Sequence, residues 1–592
     1  MLHEELTKAN MLLEEGNYNK ALYLLENFEE NENLTILDLI SCNLQRSSLL
    51  NKVGRHKDAF KYAEQAYQKS QEVSKNLQSV DALLSMAYAL VWELSLDEAF
   101  ELIEQSEHLL NKCVGENSNI ILQKQASINY TRSLYYFFKN NSDQAIKHAE
   151  QSLKVREDLD NKPEIAESLT ALGLIYNLLS FEYDNALIYT ERSQKIAKES
   201  NQKHIVAYNL LLFGMISGLK GEIDRSLVYY EQSLALSEEL NNNRQISVLF
   251  NNIAEIYKQK GELEQSLAYL EKGLSIAEEI GNKWNIGSIL HSITMHYIEK
   301  KDQDNAQKYL KLTKQFNEQG SIQIFERFSR LCEALILKMS TRTRNRAKAE
   351  ELLKEIIEEE IVLGEITVLA LINLCDLFLG ELRMTNDIEV IDELKPLINK
   401  LSNIAEITNS YWLLTESYLL QSKLALITLD IKEGQRYLTQ AQQIARRSNL
   451  NQLTMKIANE HDDLLKKLDL WEKLKEVDAP MSERLELARV DEQIEGILQN
   501  RTILTAQVSE EKVAIHKEKK ICLVCRGEVL RYTYICECGA IYCENCARAI
   551  SDLENVCWVC DVQIDYLKPT KLSKDEEERE EIGKEAIKHN IK

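Results

Sequence analysis

Small residues recur along the first half of the chain at intervals close to 40 residues, and this repeat restricts the fold more than any other feature. A glycine stands five positions before the small residue in four of the copies, and a bulky apolar residue follows three or four positions later. The small residues are Ala21, Ala59, Ala99, Ala145, Ala186, Ser226, Ser266 and Ala306. A repeat of this length is one supersecondary unit that cannot bury its apolar face alone. The units must therefore stack on one another.

Each repeat contains a second amphipathic segment before the turn, such as residues 168–179 and 249–260. The chain has only 4 Pro and 19 Gly among 592 residues, which disfavours many short strands and tight turns. Two antiparallel helices per unit satisfy this pattern, and the small residue lets the second helix approach the first. The sequence therefore predicts an all-α solenoid.

The repeat resembles a known family. The segment ALGLIY at 171–176, the turn glycine, and the alanine and tyrosine of ALIYTERS at 186–193 are similar to tetratricopeptide repeats. The period near 40 residues resembles the long repeats of kinesin light chains and of bacterial Rap-type regulators. The resemblance covers about residues 5–450, with further units marked by Ala349, Val390 and Gly434. It implies a tetratricopeptide-like superhelix over 1–474.

The resemblance also implies a partner-binding groove, because the first helix of each unit forms the concave face in this family. Apolar and amide side chains next to each other suit a peptide or a helix. The alternative that several of these side chains simply pack between helices stays open. The positions that correspond to the groove are Tyr208, Leu211, Met215, Asn251, Glu255, Lys258, His291 and Met295.

The region after the repeats is expected to contain a terminal capping helix over 451–474, with Ile457, Leu464, Leu468 and Trp471 at helical spacing. Pro480 breaks the pattern, and Ser482 is a candidate N-cap for a short helix. That helix would carry Leu487, Val490, Ile494 and Ile497 on one face. We predict that residues 475–520 form a linker and 568–592 a charged tail, and that the body on each side of the linker unfolds independently.

Eight of the twelve cysteines fall in four close pairs in the C-terminal region. Four thiolates around one ion form the tetrahedral site that structural zinc prefers, so the spacing predicts two Zn²⁺ ions in a module over 521–567. Rubredoxin-like iron and disulfides are the alternatives. The site could pair its cysteines sequentially, or in an interleaved order in which the first pair joins the third. The candidate ligands are Cys522, Cys525, Cys536, Cys538, Cys543, Cys546, Cys557 and Cys560.

The order of these pairs resembles RING-type fingers, which favours the interleaved pairing. The resemblance implies a groove for a ubiquitin-conjugating enzyme beside the metals, with Val524 and Trp558 as its contacts. Where RING fingers often have proline and a basic residue, this chain has Trp558 and Asp561. Even as a ligase, the finger would be a docking platform without catalytic residues of its own.

The formal net charge of −23 disfavours nucleic acid and anionic membranes as partners. The acidic N-terminus does not resemble a secretory signal, and no segment is apolar enough to span a bilayer, so we expect a cytoplasmic protein.

Residues 338–348 are the one basic segment, predicted as a loop that contacts an acidic partner. No catalytic motif is present. The first hypothesis is a non-catalytic scaffold; the alternatives are a ligase-type adaptor and a peptide-responsive, Rap-like regulator.

Overall fold

The computed structural model forms two compact units, residues 1–360 and residues 361–592, which are described separately. Among the described residues, no helix is long and apolar enough to cross a membrane. The structure describes residues 2–29, 34–113, 115–180, 182–219, 222–318, 323–359, 365–407, 410–447, 451–477, 479–499, 522–525, 529, 532–536, 538, 540–563 and 570–571.

The first unit is a stack of antiparallel helix pairs, as the repeat predicts. Its helices are α1 (Leu2–Glu14), α2 (Tyr18–Glu29), α3 (Ile36–Lys52), α4 (His56–Glu72), α5 (Asn76–Trp92), α6 (Leu96–Leu110), α7 (Ser118–Phe138), α8 (Ser142–Asp158), α9 (Lys162–Ile175, followed by a π-helical turn at Tyr176–Ser180), α10 (Tyr183–Glu199), α11 (Lys203–Leu219), α12 (Ile223–Glu239), α13 (Asn243–Gln259), α14 (Leu263–Ile280), α15 (Lys283–Glu299), α16 (Gln303–Glu318), α17 (Gln323–Lys338) and α18 (Thr343–Glu358).

The recurrent small residues have the role that the sequence predicts. Each lies near the start of the second helix of its pair and is almost completely buried, as Ala59 and Ser266 illustrate. A side chain without bulk lets the two helices pack closely. At Gly173 on the partner helix, an added Cβ would lie 2.5 Å from the hydroxyl oxygen of Thr190. Close packing at these positions forms a core that runs along the stack.

The first unit curves until its early helix pairs contact later ones. An added Cβ at Gly54, in the turn between α3 and α4, would lie 2.5 Å from the Cβ of Arg244. Leu240 packs into the apolar cluster of the first two helix pairs. Phe138 and Trp284 make an edge-to-face contact with ring centroids 5.4 Å apart. We call this line of contacts the seam, defined by Gly54, Leu240 and Arg244. It encloses space on the concave side of the unit.

The basic segment at 338–348 differs from its prediction. Helix α17 continues to Lys338 and α18 begins at Thr343, so only four residues connect them. The basic side chains after Arg342 therefore lie on a helix. One of them, Lys348, pairs with Glu333 at 3.3 Å. The strong helical propensity of this Ala-, Arg- and Lys-containing stretch accounts for the difference.

The second unit begins with three further helix pairs. These are α19 (Glu365–Thr385) with α20 (Glu389–Ile407), α21 (Tyr411–Ile427) with α22 (Ile431–Arg447), and α23 (Asn451–Lys466) with α24 (Leu468–Glu476). The expected single capping helix is thus two helices separated at Lys467. Ile457, Leu464 and Trp471 are buried as predicted. The side chain of Leu468 lies outside the described residues.

Two short helices follow, α25 (Met481–Ala488) and α26 (Val490–Gln499), where the sequence predicts one helix in a linker. Arg489, with φ 49°, separates them, and Pro480 rather than Ser482 is the N-cap residue. Val490, Ile494 and Ile497 are buried, because both helices pack against α19 and α21. Residues 481–499 are therefore part of the packed body. The remainder of the expected linker, 500–520, lies outside the described residues.

The C-terminal module contains β1 (Tyr532–Ile535), β2 (Ile541–Cys543), helix α27 (Glu544–Leu553) and β3 (Thr570–Lys571). The sheet order is β2–β1–β3, and both pairings are antiparallel. Strand β1 ends just before Cys536, so Cys536 and Cys538 lie in the following turn rather than on the strand. Of the expected charged tail, Thr570–Lys571 belongs to the sheet, and residues 572–592 lie outside the described residues.

Candidate functional site

A cavity of about 490 Å³ lies on the concave side of the first unit, lined mainly by first helices of successive pairs. Because first helices alternate with outer ones, each first helix from α1 to α11 contributes between two and five side chains to the same space. The wall combines aromatic rings, amides and charged groups. Its aromatic members are Tyr88, Trp92, Tyr130 and Tyr208; its amides include Gln45, Asn51, Asn242 and Gln245; its charged members are Lys52, Asp81, Arg156, Glu167 and Arg244.

A second cavity of about 200 Å³ shares Trp92, Tyr208 and Arg244 with the first. Four of the groove residues predicted from the sequence line it: Tyr208, Leu211, Met215 and Asn251. The resemblance therefore predicts four residues that line one cavity of the first unit. Whether these residues bind a partner stays a prediction.

The other four predicted groove residues have contacts within the protein. Glu255 and Lys258 form an ion pair, and Lys258 also lies 3.8 Å from Glu299. Met295 is buried in α15. His291 stacks on Phe328 with ring centroids 4.1 Å apart, and its Nδ1 is 3.3 Å from the sulfur of Cys332. These four residues thus have packing or ion-pair contacts inside the protein, and a role in binding a partner stays a prediction for them.

Several buried polar atoms of the cavity walls have no hydrogen-bond partner within the described parts of the chain. They are Oε1 of Gln45, Nδ1 of His204 and Oδ1 of Asn251. A buried polar atom without a partner costs about 1–3 kcal/mol. Such atoms therefore mark positions at which water or a ligand completes the hydrogen bonding.

Burial determines the protonation of the cavity walls. It raises the pKa values of the Tyr88, Tyr130 and Tyr208 hydroxyls, which therefore stay neutral hydrogen-bond donors. Burial, together with the charge of Lys52, lowers the pKa of His204 well below its ordinary value, so this imidazole is neutral. Burial also raises the pKa of Asp81, although its ion pair with Lys124 opposes that shift.

The eight paired cysteines converge into two groups of four. One group is Cys522, Cys525, Cys543 and Cys546, and the other is Cys536, Cys538, Cys557 and Cys560. This is the interleaved pairing. Within each group the sulfur atoms all lie within 4.8 Å of one another. Each group could therefore hold one metal ion.

Local structure presents the sulfurs of both groups. Cys543 ends β2 and is the N-cap residue of α27, and Cys546 lies in the first turn of that helix. The Cys543 backbone N–H donates to the sulfur of Cys522 at 3.3 Å. The Cys557 sulfur accepts from the Val559 N–H at 3.4 Å. Donation from backbone N–H groups favours the thiolate form that a metal requires.

Tyr542 connects the two groups, and sequence reasoning missed it. It is fully buried next to Cys543, and its hydroxyl lies 3.1 Å from the sulfur of Cys557 in the other group. The same oxygen accepts the Trp558 backbone N–H at 3.2 Å. The only available signal was a tyrosine in a short β-forming segment before the fifth cysteine.

The two proposed contacts for a conjugating enzyme are not equally accessible. Val524 is fully buried, so its side chain cannot contact a partner. Trp558 is half-buried, with its indole nitrogen buried. The finger's acidic side instead contacts helix α22, where Arg436 donates to Glu554 at 3.0 Å and to Asp561 at 3.3 Å. Lys432 pairs with Glu554 at 3.1 Å.

The fold and the sites define an α-solenoid of tetratricopeptide type that carries a cysteine-rich module. Residues 205–279 match the family model described as tetratricopeptide repeat. Comparison of the sequence with curated proteins found no match.

Solved structures with similar folds include a Rap protein complexed with competence and sporulation factor (16% identity, 62% of this chain and 99% of that chain, TM-score 0.44). NprR in complex with its peptide NprX is similar over 60% of this chain and 98% of that chain (16% identity, TM-score 0.41). The Rap conjugation gene regulator of plasmid pLS20, in complex with the Phr* peptide, has 14% identity over 56% of this chain and 96% of that chain (TM-score 0.42).

Proposed function

We propose that the first unit binds a short segment of another polypeptide in the cavity on its concave side. The observation that carries this proposal is the cavity of about 490 Å³, whose walls contain buried polar atoms without partners among the described residues. A ligand that supplies hydrogen bonds to Gln45 and His204 there, and to Asn251 in the adjoining cavity of about 200 Å³, removes the cost of leaving them unpaired.

The chemistry of the walls favours a peptide. The amide oxygens of Gln45 and Asn251 have no hydrogen-bond partner among the described residues, and such oxygens accept from the N–H groups of an extended backbone. Between them, the rings of Tyr88, Tyr130 and Tyr208 offer flat apolar surfaces for the side chains of the ligand. A scaffold that binds peptides in this way needs no catalytic residue.

We further propose that both cysteine groups bind structural Zn²⁺. Sulfur atoms in a tetrahedral zinc site with bonds of about 2.3 Å lie about 3.8 Å apart. The Cys525–Cys543, Cys538–Cys557 and Cys536–Cys560 sulfur pairs lie 3.8, 3.6 and 3.4 Å apart. Four thiolates leave no position for water, so the zinc supplies folding energy rather than catalysis. Thiolate sites of this kind persist in reducing compartments, which supports a cytoplasmic location.

The finger acts in this proposal as a second contact surface. Its acidic side is occupied by α22, and Val524 is buried, so nothing in the described part of the finger favours a ubiquitin-conjugating enzyme as the partner. The peptide-responsive regulator is a finer version of the peptide-binding proposal and depends on the same cavity.

A random library of N-terminally acetylated hexapeptides, passed over the immobilised full-length protein, tests the proposal. Retained peptides are identified by mass spectrometry, and their affinities are measured by fluorescence anisotropy. The double substitution Tyr208→Ala, Asn251→Ala should weaken binding by roughly tenfold or more. Tyr23→Ala is the control, because Tyr23 is 64% exposed on an outer helix. If no peptide is retained, or if the double variant binds as well as the wild type, the proposal is wrong.

A further inference from the structure

Arg244 differs from the other arginine in the cavity wall. Its guanidinium lies over the ring of Trp92, 3.5 Å from the centroid, and no carboxylate in the described parts of the chain pairs with it. Arg156, by contrast, forms an ion pair with Glu164 at 3.2 Å and donates to the Ser168 hydroxyl at 2.9 Å. One arginine is therefore neutralised inside the protein, while the other presents an unpaired charge to the cavity.

The surroundings of Arg244 add to this positive charge. It lies in the first turn of α13, which contains no acidic residue, so the positive end of the helix dipole lies beside it. Lys52, in the first helix of another pair, also lines the cavity without an acidic partner among the described residues. His204 and Asn242 complete this end of the cavity. The two carboxylates of the same wall, Asp81 and Glu167, pair with Lys124 and Arg156, so the charges of Arg244 and Lys52 are left to attract an anion.

The ring of Trp92 stabilises and orients the Arg244 guanidinium, which favours the binding of an anion. A cation over an aromatic face is stabilised by about 0.5–2 kcal/mol and is held in one orientation. The edge of the guanidinium, which carries the N–H donors, stays available because the guanidinium stacks on the ring through its face only. A carboxylate accepts two parallel hydrogen bonds from that edge, and this bidentate geometry is the strongest that arginine offers.

We propose that Arg244 binds a carboxylate of the ligand. The guanidinium of Arg244 is held against the face of Trp92, beside the N-terminus of α13. This inference rests on the proposed peptide-binding function and adds the chemistry of one end of the ligand. The carboxylate is either the free C-terminus of the peptide or an aspartate or glutamate side chain. Because Arg244 contacts Gly54 across the seam, the bound carboxylate also lies where the early and late helix pairs meet.

The test uses the hexapeptide library in two forms, one with a free C-terminal acid and one with a C-terminal amide. Both are passed over full-length wild type, Arg244→Met, Arg244→Lys and the control Arg225→Met. Arg225 lies on the outer helix α12 and pairs with Glu222 at 3.0 Å. The wild type should retain mainly peptides that carry a carboxylate. Affinity for a retained peptide should fall about tenfold or more in Arg244→Met, less in Arg244→Lys, and not in Arg225→Met.

The outcomes separate this inference from the function on which it rests. Selection of acid over amide peptides identifies the C-terminus, whereas enrichment of Asp or Glu in both forms identifies a side chain. If the wild type retains peptides without preference for a carboxylate, or if Arg244→Met binds them equally, this inference is wrong and the proposed function stands. If the wild type retains no peptide, both are wrong. Unfolding curves of Arg244→Met distinguish a lost contact from a lost fold.

Discussion

Arg436 on helix α22 donates a 3.0 Å hydrogen bond to the carboxylate of Glu554, at the end of the finger's helix α27. The Glu554 side chain is only 10% exposed, and Lys432 contacts it from the same helix. The finger and the helix pairs of the second unit are therefore in direct contact. This contact disagrees with the expectation, based on the break at Pro480, that the two bodies are structurally independent.

Replacing Arg436 by alanine should loosen this contact. Charge-assisted hydrogen bonds contribute about 1.5–3 kcal/mol, so the fraction of undocked finger should rise roughly tenfold or more. Hydrogen exchange of the full-length protein should then become faster in both α22 and α27. Arg548→Ala is the control, because Arg548 is exposed and pairs only within α27. Unchanged exchange in α22 would mean that the contact contributes nothing to docking.

The same contact should depend on pH. Burial acts to raise the pKa of Glu554, but the hydrogen bonds from Arg436 and Lys432 outweigh it, so the pKa lies below its ordinary value of 4.5. Because the folded pKa is depressed, the stabilisation is complete above pH 4.5 and is lost as the pH falls through the folded value. Because intrinsic hydrogen exchange slows in acid, the quantity to compare is the protection factor of α22, which should decrease as the pH falls for the wild type. Glu554→Gln should lack this pH dependence.

Metal analysis of the full-length protein should find two zinc ions per chain. Cys538→Ser should leave one, since Cys538 belongs to the more exposed group and the other group keeps all four ligands. Cys113→Ser, at a cysteine outside both groups, should leave two. A stoichiometry of zero or one for the wild type would contradict the metal assignment. Loss of one zinc ion in Cys113→Ser would show that a cysteine substitution can lower the zinc content by disturbing the fold rather than by removing a ligand.

Gly54→Ala should destabilise the first unit because the added methyl group overpacks the seam. The added Cβ would lie 2.5 Å from the Cβ of Arg244, and Gly54 has φ +83°. Gly261→Ala separates the backbone strain of a positive φ from the steric overlap, because Gly261 has φ +79° but no atom within 4 Å of an added Cβ. Both variants incur about 1–2 kcal/mol of left-handed strain, and Gly54→Ala an additional cost of about 1–3 kcal/mol from overpacking.

Urea unfolding measures the difference between the two glycine variants, and hydrogen exchange locates it. The extra exchange in Gly54→Ala should appear at the start of α13, where Arg244 lies. Equal unfolding free energies for Gly54→Ala and Gly261→Ala would show that the seam is not tightly packed in solution.

His56 should make the first unit less stable in mild acid. It is 1% exposed, stacks on Trp92, and its pKa is lowered well below 6.5 by burial and by the charge of Arg244. The folded state therefore keeps the ring neutral while the unfolded chain binds a proton. Stability is complete above pH 6.5 and is lost as the pH falls towards the folded value.

The free energy of unfolding, measured between pH 7.5 and 5.5, should decrease for the wild type and decrease less for His56→Gln. Part of the dependence should remain, because burial also lowers the pKa of His204. His108→Gln, at an exposed position, should behave as the wild type. A His56→Gln profile identical to that of the wild type would contradict this assignment.

The sequence alone determined the features that depend on local periodicity. A small residue at every fortieth position predicts helix pairs that stack, and Ala59 and Ser266 are buried where the pattern requires. The spacing of eight cysteines predicts which thiols come together, because short turns bring the members of such pairs close, and the structure gathers all eight into two groups of four. The resemblance to tetratricopeptide repeats, rather than the periodicity, is what predicts Tyr208 and Asn251 for the groove, and both line a cavity of the first unit.

Only the tertiary structure decided which distant parts meet. The contact of Gly54 with Arg244 depends on small rotations between successive helix pairs, which accumulate along the stack and leave no local signature. The same holds for Arg436 and Glu554, and for the packing of α25 and α26 against α21. The interleaved cysteine groups likewise follow from how β2 and α27 place Cys543 and Cys546 beside Cys522. Such contacts depend on three-dimensional geometry, whereas sequence patterns report mainly the conformation of neighbouring residues.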